Sequence, residues 1–333
     1  MARIVLAQGT SHSPQLSIPV ESWPLFEERD RSHNLLLDRN GTKRSFDELL
    51  AERGDSLAGH LTPEAWAGRR DRCDAAMLRL REDLTEADPH VVVIIGDDQK
   101  ELIEDDNLPS LLVYRGAEVL STGRTSPDKL IRHVGNDIRK LAEWAYSPAE
   151  DRTYPVHQGL ADHFLSTLND RFDLAQSSRN PRQHGVGHAF AFPFERLFDK
   201  PRPMVPFMIN TYYPPNQPTP RRCVALGEAL AAAIASYGDD DTRVAVLASG
   251  GLSHHLIDED LDREVLGALE SGDVERLRTL PVPALDGGTS EIRNWVTMGA
   301  MLGGLTHSWT TYEPCYRTLA GTGCGMAFAT WTP

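Results

Sequence analysis

The sequence predicts an α/β fold: three layers, αβα, around a central, mostly mixed sheet, built as one large domain over residues 1–333. Three observations lead there. Short apolar, β-rich runs recur at 3–8, 90–95, 204–209 and 243–248, each ending in small or polar residues. Longer segments with helical character lie between them, and such alternation is the mark of layered α/β folds. His12, Gln99, His188 and His254 all fall at predicted strand ends, far apart in the chain. Ligands of open α/β sheets bind at that end of the strands, so this spread suits one site assembled along a sheet edge.

Composition narrows the class. Hydrophobic residues are 40% and charged residues 25%, as in ordinary globular proteins. A net charge of −14 argues against nucleic acid and against an anionic membrane surface as partners. No window reaches the apolar length of a membrane span, and the N-terminus is too soon interrupted for a signal peptide. Cys73, Cys223, Cys315 and Cys324 lack paired metal-ligand spacing. They read as free thiols of a reducing cytoplasm.

The elements follow in order. Arg3 to Gln8 is a buried strand, and Gly9-Thr10-Ser11-His12-Ser13-Pro14 is a turn carrying a histidine. Residues 17–87 form a polar helical insertion, a lid or partner surface, with short helices at 21–30 and 45–53 and a better one at 66–87. His90 to Ile95 is the clearest strand, with Gly96-Asp97-Asp98-Gln99 at its end. Acidic and amide groups there bind metal or substrate, or simply form a turn. A strand at 110–114 and helices at 128–145 and 160–168 come next. Residues 181–194 read as a tight turn into a strand, with His184 and His188 beside glycines. A strand at 204–209 leads to the proline loop Asn210 to Pro218, then an Ala-rich helix at 221–236.

Val244 to Ala248 is a buried strand opening into Ser249-Gly250-Gly251-Leu252-Ser253-His254-His255. The small residues leave room for a ligand, and a histidine there can move protons or bind a metal. A surface pair of histidines is the plainer alternative. After a helix at 259–271, Thr289 or Ser290 caps another that carries Glu291 in its first turn. The helix dipole stabilises a glutamate there even without function. A flexible stretch at 321–326 precedes a last short strand at 327–331.

These residues together resemble the class III extradiol ring-cleavage dioxygenases, the family of the protocatechuate 4,5-dioxygenase catalytic subunit and of 3-O-methylgallate dioxygenases. Thr10-Ser11-His12-Ser13-Pro14 resembles its N-terminal Ser-His iron-ligand motif, and Gly187-His188-Ala189-Phe190 its first catalytic histidine region. Asn210 to Cys223 is similar to its proline loop. Gly250-Gly251-Leu252-Ser253-His254 is similar to its Gly-Gly-x-Ser-His motif, and Ser290-Glu291 to the segment with the carboxylate ligand.

The resemblance implies Fe(II) held by His12, Gln99 and Glu291, with His254 as general base and His188 as acid or hydrogen-bond donor. Gln99 stands where the family has a histidine; His60 is the alternative if the insertion folds inward. A catecholic substrate and O2 are the implied partners, in aromatic compound catabolism. The product would be a ring-opened semialdehyde, or a lactone if a methoxy group leaves. The family's polar pair for a substrate carboxylate falls at Gly321 and Thr322, and only Thr322 keeps a hydroxyl. That favours a substituted catechol such as 3-O-methylgallate over protocatechuate. His184 and Tyr212 complete the expected substrate contacts. A cytoplasmic homo-oligomer, a dimer, is the expected assembly. Two rivals stand beside this reading: another metal enzyme on the same scaffold, such as a zinc hydrolase using His12 and Glu291, and a non-catalytic binding homologue.

Overall fold

The computed structural model describes the chain apart from residues 34–35, 125–137, 139–140, 180–184 and 239–240. Its strands are Arg3–Thr10 (β1), Val91–Gly96 (β2), Leu111–Tyr114 (β3), Glu118–Ser121 (β4), Arg152–Pro155 (β5), Ala175–Ser177 (β6), Met204–Ile209 (β7), Arg243–Ser249 (β8), His254–Leu256 (β9), Thr306–Tyr316 (β10) and Thr322–Thr332 (β11). Among the described residues, one sheet runs β10-β11-β1-β8-β2-β7-β3-β6, with β9 added to β11. The centre, β1-β8-β2-β7, is parallel. β11 runs antiparallel to β1, and β3 antiparallel to β7, so the sheet is mixed as expected.

Period-two alternation of apolar side chains builds the three layers. Val91, Val93 and Ile95 of β2 face one core, with Phe164, Leu230, Leu269 and Trp295 from helices Gln158–Thr167, Pro220–Ser236, Glu259–Ser271 and Ile292–Gly299. Val92 and Ile94 face the other, with Leu80 and Leu84 of helix Pro63–Ala87 and Phe192 and Phe194 of helix His188–Arg196. Each such side chain, buried, contributes about 1.5–3 kcal/mol, so both helix layers are held by the same strands. Gly9 on β1 lets Trp295 lie flat on the sheet: a Cβ there would meet the indole at 2.1 Å. The indole Nε1 donates to the Gly250 carbonyl at 2.8 Å. That bond ties the helix after Glu291 to the loop before His254.

Residues 17–87, expected as an insertion, contribute to both core and rim. Trp23 and Phe26 are buried in the second core, while Leu36, Phe46 and Leu49 pack against Leu256 and Ala320. Helix Pro63–Ala87 starts three residues before Trp66. Thr62 accepts the Ala65 N–H at 3.2 Å, and Pro63 fits the first turn, where its missing donor costs nothing. No helix among the described residues is long and apolar enough to cross a membrane.

Four expectations change. His188–Arg196 is a helix, not the strand expected after the 181–194 turn. Phe190, Phe192 and Phe194 alternate like a strand, but this helix is buried almost all round, so the period carries no information. Neither Thr289 nor Ser290 caps the following helix; Gly287–Glu291 is a 3-10 turn running into it. Residues 321–326 are not a flexible stretch: β11 begins at Thr322, and its first residues pair with β9 and β10. Its partner β10 was not expected, because Thr306–Tyr316 is polar, half exposed and contains Pro314, which an edge strand tolerates. Of the helix expected at 128–145, most lies outside the described residues.

Candidate metal centre and active site

The parallel strands β1, β2 and β8 end side by side, and the turns after them supply the site. His12 follows β1 and is 3% exposed. The turn is fixed by Ser11, whose N–H donates to the Ala327 carbonyl and whose Oγ accepts the Ala327 N–H. Tyr146 donates its hydroxyl to the His12 carbonyl at 2.5 Å. The His12 ring has Nδ1 3.0 Å from Ser249 Oγ and Nε2 3.3 Å from Glu291 Oε2. That Nε2 is buried without a formed hydrogen bond.

Glu291 is the hub. Its Oε2 accepts the Gly251 N–H at 2.7 Å, and its Oε1 accepts Gln99 Nε2 at 3.1 Å. His254 Nε2 lies 3.4 Å from the same Oε1. Burial opposes its charge, but the imidazoles of His254 and His12 win and hold the carboxyl well below the usual range. Asp97, behind it, is pushed up to about 6 by burial and by Glu291.

His254 and His188 are each oriented through Nδ1. His254 Nδ1 meets the Leu252 carbonyl at 2.8 Å, which makes Nδ1 a donor and turns Nε2 towards Glu291. His188 opens its helix just after Gly187; its N–H and Nδ1 both meet the Glu101 carboxylate, the latter at 2.7 Å. Burial disfavours the imidazolium, yet Glu101, Asp97 and Glu291 outweigh it and push His188 up to about 10. The His12 and His188 rings meet edge to face, 4.6 Å between centroids. His12, His188 and Glu291 can each bring one ligand atom within 4.8 Å of the others. Imidazole and carboxylate donors around a buried, undonated nitrogen suit a divalent first-row metal. All open on one cavity of about 170 Å3, whose walls include Gln99, Tyr146, Tyr212 and His255.

The family model for the catalytic LigB subunit of aromatic ring-opening dioxygenase matches residues 74–324. The chain belongs to this LigB family. Its relatives include the gallate dioxygenase of Pseudomonas putida, 33% identical over 162 residues, 44% of this chain and 46% of that one. A 2,3-dihydroxyphenylpropionate/2,3-dihydroxicinnamic acid 1,2-dioxygenase of Azotobacter vinelandii is 27% identical over 226 residues, 68% of this chain and 55% of its own. One of the same description from Mycobacterium ulcerans is 38% identical over 96 residues, 28% of each chain. The chain thus spans about half the length of the first two.

Within this LigB-family fold, the structure brings His12, Gln99, His188, His254, Glu291 and Tyr212 to one cavity. Gln99 touches the Glu291 carboxylate through its amide nitrogen. His60 stays away from the cavity: its ring binds Arg69 at 2.7 Å and packs on Tyr316. Thr322 does not line the cavity either. It is fully buried and hydrogen-bonded to Thr318 at 2.6 Å, because it starts β11 rather than a loop. His184 lies outside the described residues. His255 also faces the cavity, but its ring stacks on His33 with centroids 3.9 Å apart.

Several participants were not singled out from sequence. Glu101, the partner of His188, follows an acidic turn with nothing to distinguish it. Asp98 shapes that turn by accepting the N–H groups of Glu101, Leu102 and Ile103. Phe26, Arg29 and Arg317 also line the cavity. Only the membership of Phe26 and Arg29 in a segment read as a lid or partner surface could have hinted at them.

Proposed function

We propose that this protein is an Fe(II)-dependent extradiol dioxygenase that opens a substituted catechol with O2. The observation that carries the proposal is the convergence of His12 Nε2, Glu291 and the Nε2 edges of His188 and His254 on one buried cavity at the strand ends. In this reading His12 and Glu291 hold the iron, and Gln99 completes the set through its amide oxygen after a half-turn of the amide. Iron, when bound, supplies the electronic link between catechol and O2 that neither has alone.

The protein's own groups handle the protons. His254, fixed through Leu252, presents an acceptor nitrogen to a catechol hydroxyl. Against burial, Glu291 and Cys324 hold His254 well above its ordinary value. With the Glu291 charge engaged by a cation, His254 returns towards the neutral, accepting form. Glu101 is not part of that set, so it keeps His188 protonated and ready to donate. Two histidines with opposed environments thus divide base and acid work. Free, buried cysteines agree with a reducing cytoplasm, and a homodimer belongs to the same proposal. Gallate-like and 3-O-methylgallate-like catechols are the proposed substrates.

A second arrangement has one specific support: the mutual reach of His12, His188 and Glu291 makes His188 a third ligand. The pairing with Glu101 favours the acid, since an imidazolium cannot bind a metal. The test of the centre itself is metal retention. His12→Ala and Glu291→Ala, loaded anaerobically with Fe(II) and desalted, are expected to lose the iron that the parent retains. A full equivalent on either variant would sink the ligand assignment.

A further inference from the structure

The cavity wall carries groups of both signs. Glu291, Glu101 and the histidines that face them form one set. Arg29 and Arg317 form another, both beside the Phe26 ring, at 5.0 and 4.3 Å. Asp30 lies between the two guanidinium groups, but Arg317 takes both its oxygens, at 2.6 and 2.7 Å. Arg29 Nε is left 3.8 Å from Asp30 Oδ1, buried and without a hydrogen-bond partner. Two cations against one carboxylate leave this wall positive. Its effect reaches the neighbours: burial and the Arg29 charge hold His33 down to about 4, and burial, His33 and Arg29 hold His255 well below its ordinary value. Both rings therefore stay neutral beside the guanidinium. Arg29 itself, lowered to about 10 by burial and by Arg317, remains charged at neutral pH.

We infer that Arg29, backed by Arg317, binds the anionic substituent of the substrate and so determines specificity for catechols that carry a carboxylate. The inference rests on the catechol reading for one end of the ligand only. Arg29 lines the same cavity as Glu291 and His254, so a substituent on a catechol held there is enclosed with its guanidinium. A carboxylate there meets a donor that the protein leaves unused and offsets the surplus positive charge. A guanidinium presents several N–H groups to a carboxylate and strengthens the pairing where water is scarce. Thr322, turned away in its strand, does not supply this contact.

Calorimetric titration of the anaerobic, Fe(II)-loaded protein tests it, with three probes: catechol, 3,4-dihydroxybenzoate and benzoate. Arg29→Gln is expected to weaken 3,4-dihydroxybenzoate and benzoate by roughly 10- to 100-fold, the weight of a charge-assisted hydrogen bond. Catechol, without a carboxylate, should change by less than about threefold, which also certifies the variant's fold. Arg29→Lys keeps the charge and should recover part of the loss, and it serves as the second variant if Arg29→Gln does not fold. Equal weakening of catechol and 3,4-dihydroxybenzoate, or no weakening of either, overturns the inference. Arg29-dependent binding of benzoate by a protein that opens no catechol would uphold the anion site while overturning the dioxygenase reading.

Discussion

At the scale of single residues, the deciding feature is how each histidine is held. His254 leans on a backbone carbonyl, His188 on a carboxylate, and His255 on another ring. These supports predict different outcomes. Proton transfer by a placed base is worth about 10²–10⁴-fold in rate, so His254→Ala should lose roughly that in turnover while keeping its iron. His255→Ala should lose far less in turnover. Steady-state rates with one catechol check both, and a reversal would mean that the neighbouring ring does the work. Glu101→Gln makes a separate prediction. Without the Glu101 charge, His188 titrates lower, so the acid is lost earlier as pH rises. The alkaline limb of the pH–rate profile should move to lower pH. If instead iron affinity falls about 10- to 100-fold with the profile unmoved, His188 is a ligand and Glu101 its support.

At the scale of elements, the loop from Gly250 to Leu256 is clamped from several sides. Ser253 donates its N–H and hydroxyl to Asp262 on the next helix, and Tyr312 of β10 donates to the same carboxylate. Asp262 is pushed up to about 7 by burial. Thr289 accepts the His254 N–H and donates to the His254 carbonyl, joining this loop to the turn that carries Glu291. Gly288 makes that approach possible: a Cβ there would sit 2.4 Å from the His254 carbonyl oxygen. Gly288→Ala should therefore displace His254 and cut kcat/KM by about 10- to 100-fold, since a shift near 1 Å at a reacting group costs that much. Unchanged kinetics in a folded variant would show that the loop has slack.

Some of these elements were legible in the sequence and others were not. The strands β1, β2, β7 and β8 announce themselves because both faces are buried and the runs are almost purely apolar. His12, Gln99 and His254, which follow three of them, were legible as candidates by type and position, as was Glu291 at a helix entry. β10 was hidden because an edge strand needs only half its residues apolar. The helix after Gly187 was hidden because full burial erases its periodicity. Glu101 and Arg29 were hidden for a different reason: their roles come from contacts across 87 and more residues, with His188 and with Arg317, that local patterning does not encode.

At the scale of the whole molecule, a mixed sheet sets three strand ends in a row, and residues 17–87 add Phe26 and Arg29 to the cavity wall. One cavity thus holds both the candidate metal ligands and the two arginines, and the proposed ring opening requires iron at the former. Oxygen uptake by the anaerobically Fe(II)-loaded protein, on mixing with a carboxylated catechol in an oxygen electrode, addresses that claim directly. One O2 should be consumed per catechol opened by the parent protein, and none above background by Glu291→Ala. No uptake by fully iron-loaded protein with any catechol, or uptake undiminished in Glu291→Ala, would contradict it.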